Sequence, residues 1–121
     1  MLQSNLQKFY FNRITVWRKK LTADNSGGYT QSWIKRVWDV PCRISGYTSA
    51  VAYKISVEGI ERTVTHIMLC DKNTEIQLGD KIVDGGYDEK YILVKIKRAR
   101  ATREIHHLKC YLALTEGEDM E

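Results

Sequence analysis

The chain has 121 residues, of which 43% are hydrophobic and 28% are charged, proportions typical of a soluble globular domain. A domain of this size buries roughly two thirds of the surface of its unfolded chain, so neither a metal nor a disulfide is required for stability. Residues 1–121 are therefore predicted to form a single domain. The net charge of +4 is compatible with a polyanionic partner but does not require one.

Three widely spaced cysteines, Cys42, Cys70 and Cys110, form no CxxC pair, which argues against a disulfide framework or a zinc knuckle. They are predicted to be reduced thiols in the core of a cytosolic protein. Residues 1–12 lack the apolar run of a signal peptide, and no segment approaches the roughly 20 apolar residues that span a bilayer. The sequence thus predicts no membrane association.

Residues 1–12 are interpreted as an arm or a short helix, followed by a first strand over 13–19. Within that strand Ile14 and Val16 face one side, as period-two alternation requires. Residues 24–28 (Asp-Asn-Ser-Gly-Gly) are turn formers, so a hairpin is expected there.

A long second strand is predicted over 32–44, because its apolar residues share one parity. Pro41 cannot donate a ladder hydrogen bond, so the strand either lies at an edge there or bends. The residues of that apolar face are Ile34, Trp38, Val40, Cys42 and Ile44.

Residues 45–61 are too polar or too small on both parities to be a core strand, and are predicted to be a long projecting loop. Its length exceeds the usual four to six residues, which generally indicates function or disorder. Its apolar alternation would let it pair as a strand on meeting other copies. The predicted contact residues are Gly46, Tyr47, Val51, Tyr53, Ile55, Val57 and Gly59.

The next predicted strand covers 62–71, and a turn at 78–80 leads to a short strand at 81–84. Four carboxylates near these turns, Asp80, Asp84, Asp88 and Glu89, are assigned to solvated loops, since Asp is a standard turn residue. Strands at 91–97 and 105–114 should pair as a terminal hairpin, and 115–121 is expected to be a flexible tail.

These elements predict a mainly β fold, a small antiparallel barrel of about six strands whose closure removes exposed edges. His66, His106 and His107 do not form a metal site in this interpretation, because adjacent strand residues point to opposite faces. No nucleophile has a local base beside it. The sequence therefore predicts a protein that assembles with others, with no enzymatic activity, cofactor or small-molecule substrate.

Basic residues crowd the turn of the terminal hairpin. A nucleic-acid footprint is one interpretation, and a solvated turn or an acidic protein partner are the alternatives. The residues concerned are Lys97, Arg98, Arg100 and Arg103, with Lys95 beside them.

The order and spacing of several short motifs resemble those of the head-closure (stopper) proteins of long-tailed phages and phage-like defective prophages. The similarity covers about residues 14–114. It is carried by Ile14-Thr15-Val16, Gly27-Gly28-Tyr29, Val40-Pro41-Cys42-Arg43-Ile44, Leu78-Gly79-Asp80-Lys81-Ile82, Tyr91-Ile92-Leu93-Val94 and His106-His107-Leu108.

The resemblance implies a small β-barrel that forms a ring beneath the portal and adaptor, retains packaged DNA and docks the tail. It also implies that the loop at 46–61 faces the channel and takes part in gating. The expected partners are portal, adaptor and tail proteins, further copies of the chain and DNA in the channel. The expected locations are the bacterial cytoplasm during assembly and then the virion neck. The alternatives are an OB-like nucleic-acid-binding module or another neck component, an adaptor or a tail terminator.

Overall fold

The computed structural model describes residues 12–86, 88–101 and 104–115. Eight strands and no helix occur in these residues. The predicted short helix within 1–12 lies outside them except for Asn12, and the predicted tail lies outside them except for Thr115. The strands are β1 (Asn12–Ala23), β2 (Tyr29–Gly46), β3 (Lys54–Val57), β4 (Ile60–Thr63), β5 (His66–Asp71), β6 (Lys81–Asp84), β7 (Glu89–Ala101) and β8 (Glu104–Leu114).

Six of the strands close into an antiparallel barrel in the order β1-β2-β5-β8-β7-β6, while β3 and β4 form a separate two-stranded sheet. The predicted six-stranded barrel is therefore confirmed. Closure depends on a short ladder between β1 and β6, which runs from Ile14 opposite Asp84 to Trp17 opposite Lys81. Nothing among the described segments is a helix suited to crossing a membrane.

The barrel interior is filled by side chains that alternate inward along every strand, as a small barrel requires. All three cysteines are buried and unpaired there, and burial raises the pKa of the Cys42 thiol to about 12. The thiols thus behave as apolar core groups. The interior cluster comprises Ile14, Val16, Cys42, Met68, Cys70, Ile82, Tyr91, Leu93, Leu108, Cys110 and Leu112.

The predicted apolar face of β2 is wrong in its first half. Ile34 and Trp38 are exposed, Trp38 by 66%. The strand pairing contains two register shifts: one residue of β1, Thr15, faces both Trp38 and Asp39 of β2, and Arg36 is a further extra residue of β2 between the pairs Val16–Val37 and Trp17–Lys35. The first bulge reverses the side-chain parity of β2 and turns Trp38 outward. The second restores the parity before Ile34, which is exposed because it pairs with Arg18 beyond the last β1–β6 pair and has no partner on β5.

The first bulge includes Asp39, whose φ is +54°. Pro41 lies just beyond it and pairs with Arg13, while pairing of β2 with β5 begins only at Cys42. Pro41 is thus located where β2 has no partner on its β5 side, which explains why its missing donor is tolerated.

The strand predicted over 62–71 is divided in two. Residues up to Thr63 belong to β4, and β5 begins at His66. Backbone hydrogen bonds from Val64 N to Tyr53 O and from Thr65 N to Leu112 O turn the chain from one sheet to the other. β5 then lies between β2 and β8.

The assignment of Asp80 and Asp84 to solvated loops is also wrong, because they are only 1% and 2% exposed. Aspartate in a turn is usually solvated, but these carboxylates accept internal hydrogen bonds, which makes their burial tolerable. Asp80 accepts from Gln77 N at 2.9 Å, and Asp84 accepts from Gly86 N at 3.0 Å. Asp88 is exposed, as predicted, and Glu89 is partly buried.

The two longest hairpins extend from the same end of the barrel. The β1–β2 and β7–β8 turns both lie there, together with the connection 72–80 between β5 and β6. The opposite end carries the connection from β2 to β5 and the short turn between β6 and β7. This division separates the surfaces described next.

Candidate interaction surfaces

The segment predicted as a projecting loop contains the β3–β4 hairpin. Its turn is Glu58-Gly59, with φ values of +54° and +78°, both in the left-handed region that two-residue hairpin turns use. The register pairs Lys54 with Thr63 and Val57 with Ile60. Gly59 is therefore the conformationally adaptable residue of the turn.

This hairpin lies against the outside of the barrel instead of projecting from it. Tyr47, Tyr53, Ile55 and Val57 are partly buried against a cluster on the outer face of β7 and β8. We call these packed residues together the outer cluster. Its buried members are Val64, Ile92, Val94, Tyr111 and Ala113, and Trp33 and Ile67 are partly buried against them. The apolar alternation that suggested pairing with other copies is thus used within the same chain.

Aromatic and polar contacts attach the hairpin. The rings of Tyr47, Tyr53 and Tyr111 lie 5.6 to 6.1 Å apart in tilted or edge-to-face pairs, the geometry aromatic pairs prefer. Lys95 Nζ donates to Tyr53 Oη at 3.0 Å, which raises the pKa of Lys95. Lys19 Nζ lies 3.1 Å from Glu58 Oε2.

The tip of the hairpin lies close to Gly79, in the turn at 78–80. Gly79 has a φ of +88°, and a Cβ there would lie 2.5 Å from Glu58 Oε1. The positive φ favours glycine at this position, whereas the Glu58 carboxylate is the end of a flexible side chain and can move aside. The turn at 78–80, predicted from sequence alone, thus lies beside the tip of the β3–β4 hairpin.

Three of the predicted loop residues, Gly46, Val51 and Gly59, remain outside the outer cluster. Val51 is 76% exposed, and Gly46 is exposed at the end of β2, opposite His66. The described loop residues therefore divide into a group buried within the chain, an accessible stretch around Val51 and an exposed hairpin turn at 58–60. The two exposed parts are available for contact without rearrangement.

The basic residues near the β7–β8 turn are Lys97, Arg98, Arg100 and Arg103, and we call them the basic hairpin. The structure describes only part of it. Lys97 and Arg98 are exposed on β7, Arg100 is described as part of the β7 backbone, and Arg103 lies outside the described residues. Lys97 pairs directly with Lys109 of β8, an arrangement of like charges that destabilises a sheet on its own. Lys109 also lies over the Tyr111 ring at 5.5 Å.

A third surface, which the sequence did not predict, is the projecting part of the β1–β2 hairpin, which we call the β1–β2 ribbon (residues 18–23 and 29–37). β1 continues past its last partner on β6, Trp17 opposite Lys81, so these parts of the two strands pair with each other and their outer edges are open. Leu21 is 60% exposed and Tyr29 is 72% exposed. The turn predicted at 24–28 indicated that β1 and β2 form a hairpin. The hairpin extends beyond the barrel because β6 is short and pairs with β1 only as far as Trp17.

The base of the ribbon is held by buried charges. Arg18 Nε and Nη2 donate to the two carboxylate oxygens of Asp80, each at 3.0 Å, and this interaction raises the pKa of Arg18. Because the pairing is bidentate, it fixes the orientation of the Arg18 guanidinium relative to the Asp80 carboxylate as well as the distance between them. Farther out, Arg36 Nη2 lies 2.6 Å from Glu75 Oε1 at an exposed position.

Lys81 adds a second attachment at the base. Its Nζ lies 5.2 Å from the Trp17 ring and 4.9 Å from the Trp33 ring, distances typical of cation–π contacts. Burial lowers the pKa of Lys81, whereas the two ring faces favour its charged form. These contacts attach the base of the ribbon to β6, at the point where the ribbon leaves the barrel.

In the part of the chain that the structure describes, no three His, Cys, Asp or Glu side chains are arranged to hold a metal ion. The features that the fold brings to its surface are exposed apolar side chains, open strand edges and basic residues. These are the elements of contacts with macromolecules.

Comparison with known proteins gives two relevant structural neighbours. A protein of the phage-like element PBSX of Bacillus subtilis, xkdH, is 21% identical with a TM-score of 0.52, and the match covers 85% of this chain and 92% of the other. A chain in the virion of a native gene transfer agent particle is 12% identical with a TM-score of 0.57, and the match covers 85% and 93%. At these identities the likeness concerns the fold.

No protein-family model matches the sequence, and no curated protein matches it.

Proposed function

We propose that this chain is a head-closure protein of a phage or phage-like particle. In this proposal it forms a homo-oligomeric ring beneath the portal and adaptor, retains packaged DNA and docks the tail. The main support is that the described barrel resembles, over 85% of the chain, proteins from a phage-like element and from a virion particle. The chain would act in the virion neck after assembly in the host cytoplasm, and it would have no enzymatic activity.

The β1–β2 ribbon is the proposed contact between a subunit and its neighbours in the neck. Leu21 and Tyr29 expose apolar surface near its tip, and its open edges offer unpaired backbone groups. An exposed edge of this kind promotes unwanted association unless a partner covers it. A ring in which each ribbon meets the next subunit would cover all of them.

The loop at 46–61 has a narrower role in this proposal than its sequence suggested. Val51 and its exposed neighbours would meet the channel or the next ring, whereas Tyr53, Ile55 and Val57 hold the β3–β4 hairpin on the barrel. A channel role for the whole hairpin would require it to leave the outer cluster. The contacts in the monomer oppose that movement.

The basic hairpin is proposed to face DNA or an acidic ring. The directly opposed Lys97 and Lys109 would be stabilised by a polyanion, because it removes their mutual repulsion. The same observation supports the second candidate, an OB-like nucleic-acid-binding module. DNA binding that decreases steeply between about 50 and 200 mM salt, without capsid binding, would favour that candidate.

The test uses DNA-filled, tail-less capsids of the phage or prophage that encodes the chain. Co-sedimentation and DNA retention are measured with the unaltered protein and with Leu21→Ser/Tyr29→Ser. We expect the unaltered protein to bind and reduce leakage, and the variant to lose at least about tenfold in affinity, about 1.4 kcal/mol. Leu114→Ser is the control, because Leu114 is also exposed but ends β8 at the end of the barrel opposite the ribbon.

Circular dichroism should show that both variants are folded, since the altered side chains are exposed. Equal binding of all three proteins would exclude the ribbon as the contact. Failure of the unaltered protein to bind capsids would overturn the head-closure proposal itself.

A further inference from the structure

The β1–β2 ribbon and the β3–β4 hairpin enclose a small pocket on the outside of the barrel, which we call the ribbon pocket. Its volume is about 100 Å³, which corresponds to about three waters and is enough for a side-chain carboxylate. The lining residues that matter here are Lys19, Trp33, Glu58, Ile60 and Arg62.

Trp33 brings an unsatisfied donor to this pocket. Its indole Nε1 is buried and has no hydrogen-bond partner, and no other buried side-chain nitrogen or oxygen of the described residues lacks one. A buried N–H group without an acceptor costs free energy. An acceptor that reaches Nε1 from the ribbon pocket would recover this cost.

Lys81 places a second donor beside the same ring. Its side chain is buried, and its Nζ lies 4.9 Å from the centroid of the Trp33 ring. Among the described residues no carboxylate lies within ion-pair distance of this ammonium group. Because burial disfavours an unpaired charge, a nearby anion would stabilise Lys81 in its charged form.

The charges on this side of the ribbon also favour an anion. Directly opposed strand residues share a face, and the ladders place Lys35 and Lys81 opposite Trp17. Four cations and one carboxylate thus surround the two tryptophan rings and line the pocket, so that an incoming carboxylate would enter a region of net positive charge. The cations are Lys19, Lys35, Lys81 and Arg62, and the carboxylate is Glu58, which is 3.1 Å from Lys19.

The same face favours a protein over a nucleic acid. Lys35 Nζ lies 5.4 Å from the Trp17 ring centroid, and Lys19 Nζ lies 5.6 Å from that of Trp33. A nucleobase therefore cannot stack on either ring without displacing a lysine. The open ribbon edges offer N–H donors and C=O acceptors together, which an extended peptide can match, whereas phosphate groups only accept.

We propose that the ribbon pocket binds an acidic side chain, aspartate or glutamate, of the protein that the ribbon contacts. The carboxylate accepts from Trp33 Nε1 close to the ammonium group of Lys81, and its apolar stem packs on Ile60. This inference deepens the ribbon contact of the proposed function, on which it rests for the statement that the partner is a neck protein.

Titration of the full chain with two peptides tests the site. The probe is an acetylated and amidated peptide in which glutamate alternates with valine, and the control peptide has glutamine in place of glutamate. The indole N–H resonances of Trp17, Trp33 and Trp38 are followed up to about 5 mM peptide, a range that detects millimolar affinity. We expect the glutamate peptide alone to move the Trp33 resonance downfield, while the Trp38 resonance stays in place.

Matched variants locate the contact. Trp33→Phe removes the N–H group but keeps an aromatic ring, and it should weaken binding of the glutamate peptide at least about tenfold, since hydrogen bonds to charged acceptors are the stronger kind. Trp38→Phe is its control, because Trp38 is exposed and lies outside the ribbon. Lys81→Met should also weaken binding, whereas Lys20→Met, on the opposite face of the ribbon, should change it little. Circular dichroism checks that each variant is folded.

Three results would overturn the proposal. The first is equal binding of the two peptides, and the second is no movement of the Trp33 resonance with the glutamate peptide. The third is a DNA duplex of about 20 base pairs that moves the same resonance and displaces the peptide, because the site would then take phosphate.

Capsid co-sedimentation separates this inference from the head-closure proposal. Equal capsid binding by the unaltered protein and by Trp33→Phe would overturn the acidic partner and leave head closure in place. Peptide binding as expected, by a protein that does not bind capsids, would support the carboxylate site and overturn only the assignment of the partner to the neck.

Discussion

The barrel interior and the outer cluster are both apolar, yet they are enclosed in different ways. The interior is surrounded by six strands that hydrogen-bond to one another in a closed ring. The outer cluster is covered by one excursion of the chain, whose hairpin pairs only with itself. Opening the interior therefore requires breaking strand ladders, whereas uncovering the outer cluster requires only loss of side-chain contacts.

This difference indicates two levels of stability in one small domain. The outer cluster is apolar surface on the outside of the barrel that would be exposed to solvent without the β3–β4 hairpin. That hairpin covers it. Three substitutions separate the two levels, and two further substitutions at exposed positions serve as controls.

Leu112→Ala should have the largest effect. Leu112 is fully buried in the interior cluster, and truncating a buried leucine costs about 2 to 5 kcal/mol through lost contacts and the cavity that remains. Urea unfolding followed by circular dichroism measures the change. Leu114→Ala on the same strand is the control, because Leu114 is exposed and its truncation should cost less than about 1 kcal/mol.

Arg18→Met should have the next largest effect, because it leaves the buried Asp80 carboxylate without its cationic partner. Removing one member of a buried pair costs about 3 kcal/mol or more, although Gln77 N still donates to Asp80. Thermal unfolding at neutral pH measures the loss. Arg36→Met removes an exposed pair with Glu75 and should cost less than about 1 kcal/mol; similar losses in both variants would contradict a special role for Asp80.

Tyr53→Ala should reduce the free energy of global unfolding the least of the three substitutions. Its effect should be confined mainly to the β3–β4 hairpin. It removes two tyrosine ring contacts and the hydrogen bond from Lys95, so the β3–β4 hairpin should open more often. Amide hydrogen exchange should accelerate about tenfold or more in residues 54–63, equivalent to about 1.4 kcal/mol, and change little in β5 and β8. Equal acceleration in the barrel strands would show that the two clusters unfold as one unit.

The barrel class followed from alternation and turn residues, because period-two patterns and Gly- or Asp-rich turns report local backbone geometry. The terminal hairpin was predicted for the same reason, since 91–97 and 105–114 alternate clearly. The basic residues were recognised from composition, but their opposition across the ladder, Lys97 against Lys109, depends on the register.

The failures arose where local patterns meet tertiary constraints. The bulge at Asp39 turns Trp38 outward and a second shift at Arg36 restores the parity of β2, and a pattern of constant parity cannot reveal residues inserted relative to a partner strand. Asp80 and Asp84 look like ordinary turn residues, and only the groups facing them make their burial possible.

By itself, therefore, the sequence determined strand periodicity, turn positions and the absence of a sustained helical repeat, all of which are properties of neighbouring residues. Only the tertiary structure decided that the apolar excursion folds back on the barrel and that the β1–β2 ribbon extends beyond it. The first depends on the space and aromatic surface around Tyr111, and the second on the length of β6. Both are set by residues distant in the chain, whose contacts no local pattern records.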